Sequence, residues 1–162
     1  MVMFATLWNN YPDEEFPCMH DGNPTYPHQC SIRMGTCFAR SGVQLPRVPH
    51  CRVHPRSSGH LLGVPAVIQG LRRHRPCGFG REERLDPGRF EEQIADRSGV
   101  IAFENYWVRE GERRRSGDHI DLWNGTRLTS WTSVFRIHLG INIDGLWSDF
   151  HRSERISFWP VA

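Results

Sequence analysis

Cys30 and His119 are the two side chains of this sequence whose settings suit nucleophilic chemistry. Cys30 follows Pro27-His28-Gln29 and opens a stretch in which Cys30, Met34, Cys37 and Phe38 recur at i, i+4, i+7 and i+8. That spacing is one apolar stripe of a helix. The first turn of a helix has N–H groups without intrahelical partners, and its dipole favours an anion, so a thiol there is biased toward thiolate. The same N–H groups can hold an oxyanion formed on a substrate carbonyl. His119 sits in Gly117-Asp118-His119-Ile120-Asp121-Leu122-Trp123, where polar and apolar residues alternate as in a half-buried strand. An imidazole near neutrality can take a thiol proton and later protonate a leaving amine. Asp121, two residues on, shares the face of His119 and could orient or charge-balance the ring.

Plainer readings stand beside this one. A lone cysteine serves as a small buried hydrophobe, and one of nine histidines can lie on the surface among solvated carboxylates. His50-Cys51-Arg52-Val53-His54, with Cys30, Cys37, His20 and His28 near in sequence, offers zinc-ligand types without the paired rhythm of a zinc motif. Arg72-Arg73-His74-Arg75 and Arg113-Arg114-Arg115 could contact phosphate. Arg81-Glu82-Glu83-Arg84 and a net charge of +2 argue instead for ordinary solvated faces.

The elements that must position Cys30 and His119 follow from the same patterns. Phe4, Leu7, Trp8 and Tyr11 mark a short amphipathic helix over Met3–Tyr11, ending before Pro12. Residues 12–27 read as a loop. The helix opened by Cys30 runs to about Arg40, with Gly42 at the C′ position. Residues 41–59 read as irregular, and Pro65 in the first turn marks a helix over Val64–His74. Asp86-Pro87 reads as an N-cap and N1 pair opening a helix to about Asp96, closed by Gly99. After that the period changes. Val100–Phe103 with Tyr106–Val108 forms a strand, residues 109–117 a hairpin connection, and His119–Trp123 a second strand before the Asn124-Gly125 turn. Ile137–Ile143 and Ile156–Val161 are further strands. Helices first and antiparallel strands after make an α+β fold with helices packed on the sheet.

Size and composition limit what such a chain can do. Its 162 residues suit a single domain over 1–162. Twenty arginines without a lysine nearly balance 18 acidic residues, which excludes a tail-type nucleic-acid binder that relies on cationic excess. No run is long and apolar enough to insert in a membrane, and the N-terminus lacks the pattern of a secretory signal, so the expectation is synthesis in the cytoplasm without one. Five cysteines leave at least one thiol unpaired, consistent with one working thiol beside four bystanders or two bridges.

Leu7-Trp8-Asn9-Asn10-Tyr11-Pro12, His28-Gln29-Cys30-Ser31-Ile32-Arg33-Met34 and Gly117-Asp118-His119-Ile120-Asp121-Leu122-Trp123-Asn124-Gly125 together resemble the fourth group of type VI secretion amidase effectors. Gly99-Val100-Ile101 through Asn105-Tyr106-Trp107 and the ending Ser148-Asp149-Phe150 through Val161 agree, so the resemblance is collinear over nearly the whole chain. It implies a papain-like, NlpC-type cysteine peptidase fold, with Cys30 as nucleophile and His119 as base. It implies cleavage of the γ-D-glutamyl–meso-diaminopimelate amide of peptidoglycan stem peptides, without cofactor or metal. It also implies type VI injection into a rival's periplasm and a cognate immunity protein as partner. One position departs. Many relatives carry an aspartate where this chain has Ser130, so the third catalytic member is Asp121, Ser130 or neither. The rival reading is a non-catalytic peptidoglycan-binding or zinc-stabilised module of the same fold.

Overall fold

Glycine and proline punctuation cuts this chain into short elements, which the computed structural model describes over residues 1–109, 111–129 and 150–162. They gather into two compact units, residues 1–80 with 161–162, and residues 81–160. The expected strand Ile137–Ile143 lies outside the described residues.

The first unit is helical. Helix α1 (Phe4–Asn10) stops one residue short of the pre-proline position, as a residue before proline resists the α conformation. The expected loop over 12–27 contains a minimal hairpin, β1 (Met19–His20) with β2 (Asn23–Pro24), turned by Asp21 and Gly22 at positive φ. Helix α2 (Cys30–Arg40) starts and ends where the apolar spacing places it, and Gly42 at φ +73 closes it. Helix α3 (Val64–His74) carries Pro65 in its first turn.

The burial of α2 exceeds the single stripe expected, since every residue from Ser31 to Phe38 is buried. Arg33 is accommodated because its guanidinium donates to the Pro12 carbonyl at 3.1 Å and lies 5.0 Å from the Tyr11 ring centroid. Gly35 permits the closest approach on this helix. A Cβ there would collide with the Gly59 carbonyl oxygen and crowd the Leu61 side chain.

The second unit is an antiparallel sheet in the order β3-β6-β4-β5, formed by β3 (Glu83–Leu85), β4 (Gly99–Val108), β5 (Arg115–Trp123) and β6 (Arg155–Pro160). The strand expected from Val100–Phe103 with Tyr106–Val108 is one continuous element, β4. Asn105 at φ +55 and a register shift between Phe103 and Trp107 form an irregularity within β4 instead of ending it. The helix expected from Asp86 to Asp96 is reduced to α4 (Phe90–Gln93). The Asp86 carboxylate accepts from the Gly88 N–H at 2.8 Å, closing a local turn that competes with a helical start. Gly99 begins β4 and does not cap a helix. Phe90, Ile101, Phe103, Phe150, Ile156 and Phe158 fill the core against this sheet.

Among the described residues, no helix is long and apolar enough to cross a membrane. The close approach at Gly35 makes a prediction: Gly35→Ala lowers stability by about 1–3 kcal/mol, read as a reduced urea midpoint with unchanged slope.

Candidate active site

Strand β5 carries His119 and Asp121 on the same face, because side chains two apart on a strand project together. Cross-strand pairing sets His119 opposite Phe103 and Asp121 opposite Ile101. His119 is buried and Asp121 fully so. Their contact is direct, with His119 Nε2 at 3.3 Å from Asp121 Oδ2. Opposite Trp107, Gly117 leaves the room that the Trp107 indole occupies, which a Cβ would fill.

A carboxylate removed from water needs donors for its oxygens. Asp121 has them. The Leu122 N–H donates to Oδ1 at 2.8 Å, and the Thr129 hydroxyl donates to the same oxygen. Thr129 reaches back because the Asn124-Gly125 turn returns the chain along β5: Leu128 bridges to Trp123, and the Thr129 N–H donates to the Leu122 carbonyl at 3.3 Å. The Asn124 side-chain oxygen holds this turn by accepting the N–H groups of Thr126 and Arg127.

Aromatic rings fix the imidazole plane. His119 stacks on Phe150 at 5.9 Å and 29° and on Phe103 at 6.4 Å and 19°, and those two rings lie 4.0 Å apart. Beside His119 in sequence, Asp118 accepts the Asn105 N–H at 2.9 Å. Burial pushes the Asp118 carboxyl up from the ordinary range, opposed by that N–H and by the Arg109 guanidinium.

Cys30 stands in the first unit as the first residue of α2, partly exposed and with its sulfur in no disulfide. The residue before it is anchored. The Gln29 side chain donates to the Cys18 carbonyl at 2.8 Å and accepts the Cys18 N–H at 2.8 Å, gripping both backbone groups of one residue. It also donates to the Tyr26 carbonyl at 3.2 Å.

The structure therefore brings His119 and Asp121 together in the second unit and sets Cys30 at a helix start in the first. Ser130 lies outside the described residues. Gln29, Thr129, Phe103 and Phe150 were not singled out by sequence reasoning. For Thr129 a signal existed, since a two-residue turn after a strand returns the next residues beside it.

The zinc-ligand types regroup. Among the described residues, ligand atoms of Cys18, His54 and His60 lie within 4.8 Å of one another, so that His54 meets two residues outside the expected set. Burial and the neighbouring His54 pull the His60 imidazole below its ordinary range. His54 Nε2 is 2.8 Å from the Met19 carbonyl, so that nitrogen already has a partner. Structural zinc sites are closed by four protein ligands, and this group supplies three.

Comparison with curated proteins gives no match. The fold is similar to that in the crystal structure of the type VI effector-immunity complex Tae4-Tai4 from Enterobacter cloacae, with a TM-score of 0.64 and 16% sequence identity. That alignment covers 100% of this chain and 99% of the other, and the shared architecture is α+β and papain-like. The sequence model of the type VI secretion system amidase effector protein 4 family, Tae4, matches residues 26–159. The chain belongs to that amidase effector family.

Proposed function

We propose that this chain is a cysteine-dependent peptidoglycan amidase, a DL-endopeptidase that cuts the bond between γ-D-glutamate and meso-diaminopimelate. In this reading residues 1–162 act as one amidase domain, with Cys30 as its nucleophile and His119 as its base. The observation that carries the reading is the buried His119–Asp121 pair. An imidazole tied at Nε2 to a carboxylate is held in one tautomer, with Nδ1 the nitrogen that accepts a proton.

The chemistry follows in order. His119 Nδ1 takes the Cys30 proton, and the thiolate attacks the side-chain carbonyl of the D-glutamyl residue. The first-turn N–H groups of α2 stabilise the oxyanion. The imidazolium, balanced by Asp121, protonates the departing amine of diaminopimelate. Water then hydrolyses the thioester with His119 as base. In this scheme Asp121 fills the role that an aspartate at the position of Ser130 plays in many relatives. His119 Nε2, the Leu122 N–H and the Thr129 hydroxyl keep its carboxyl in place.

Membership in an amidase effector family supports delivery by the type VI apparatus to a target cell, and we place the site of action in the periplasm, where the stem peptides are. A cognate immunity protein is the expected partner.

Three outcomes are expected with purified stem peptides. Cys30→Ala abolishes release of the diaminopimelate-bearing fragment, read by product mass, and undiminished release overturns the assignment. Asp121→Asn lowers kcat/KM roughly 10²-fold, while Ser130→Ala stays within about threefold, which a carboxylate outside the usual position requires. Nitrogen-15 spectra of the imidazole show neutral His119 protonated on Nε2 in the wild type; protonation on Nδ1 would remove the role given to Asp121.

A further inference from the structure

We propose that Cys18 and Cys51 form a disulfide bond, one that fastens the segment leading into Cys30 to the loop carrying His54 and His60. The proposal is independent of which bond the enzyme cuts. Both sulfurs are buried, and they lie 2.8 Å apart across 33 residues of sequence. They share a small apolar cluster with Ile32, Tyr26 and Leu62. The other three thiols are placed differently: Cys30 is partly exposed at the start of α2, Cys37 is 3.1 Å from the Leu7 carbonyl, and Cys77 is exposed.

Backbone contacts hold each partner in position before any bond forms. Cys18 is gripped on both sides by Gln29 and also accepts the Thr25 N–H at 3.0 Å. The Cys51 N–H donates to the His60 carbonyl at 2.8 Å, next to the His50–Leu61 bridge. A covalent link between two such prepositioned segments adds little strain to the folded state. It removes the entropy of an open loop from the unfolded state, and the benefit grows with the length of chain enclosed. Because Gln29 joins Cys18 to the residue before the nucleophile, the bond also limits how far the start of α2 can shift.

Formation needs an external disulfide as oxidant, either a small-molecule disulfide or that of a thiol oxidase. One cysteine thiolate attacks a sulfur of that disulfide, whose bond breaks to release one thiolate. The second cysteine then displaces the other half. Two electrons pass to the oxidant and two protons to solvent. Burial, and next the contact with Cys51, push the Cys18 thiol up to about 11, so exchange in the packed protein is slow.

The test uses the full chain refolded with glutathione disulfide, then denatured and alkylated with iodoacetamide. The expected result is labelling of Cys30, Cys37 and Cys77 alone, with the Cys18 and Cys51 peptides recovered as one cross-linked species. Reduction labels all five cysteines and lowers the thermal midpoint by roughly 10 °C. The double variant Cys18→Ala, Cys51→Ala has the lower midpoint with or without reductant. Five labels after oxidative refolding would overturn the proposal, as would a cross-link between another pair. So would one zinc ion per chain that shields Cys18 from alkylation until a chelator is added. The labelling pattern of the wild type decides even where the double variant does not fold.

Discussion

A buried carboxylate hydrogen-bonded to a buried imidazole is the constraint around which the second unit is arranged. Asp121 is fully sealed from water, and a sealed charge is tolerated only with donors on its oxygens. His119 Nε2, the Leu122 N–H and the Thr129 hydroxyl meet that requirement. Each comes from a different structural demand. The two-residue repeat of a strand brings His119, the strand's own backbone brings Leu122, and the return after Asn124-Gly125 brings Thr129. Each supports one carboxylate, so the turn, the strand and the His119–Asp121 geometry are coupled. The stacked rings of Phe103 and Phe150 then leave the imidazole one plane.

The first unit meets the complementary demand of presenting a sulfur at a helix start without letting that start fray. Helix ends are where backbone bonding is weakest. Gln29 counters this by tying the residue before Cys30 to Cys18, whose sulfur packs against Cys51. Further along the helix, Gly35 admits the Gly59 carbonyl, and Arg33 donates to the Pro12 carbonyl and lies against the Tyr11 ring. Cys30, partly exposed, thus heads a helix whose next eight residues are buried.

Much of this was legible from local pattern. Helices α2 and α3 have the bounds that apolar spacing, Gly42 and Pro65 indicate, and the alternation from His119 to Trp123 locates β5 and the shared face of His119 and Asp121. Local pattern failed where two local rules compete. Asp86-Pro87 carries helix-start signals, yet Gly88 lets the Asp86 side chain close a turn, and only α4 survives downstream. Val100–Phe103 with Tyr106–Val108 do form one strand, and the irregularity at Asn105, at positive φ, lies inside it. Long-range bonding was out of reach altogether. Nothing in spacing pairs Gln29 with Cys18, because that contact depends on how a loop returns in space. Nor does spacing gather Cys18, His54 and His60.

The central claim is that the thiol of Cys30 and the imidazole of His119 act on one carbonyl. The most direct measurement is the distance from Cys30 Sγ to His119 Nδ1 in a crystal structure of the protein with a stem peptide bound. The account predicts a separation within about 4 Å, with the scissile carbonyl over the first turn of α2. A separation beyond about 6 Å with substrate in place, or Nδ1 turned away from the sulfur, would contradict it.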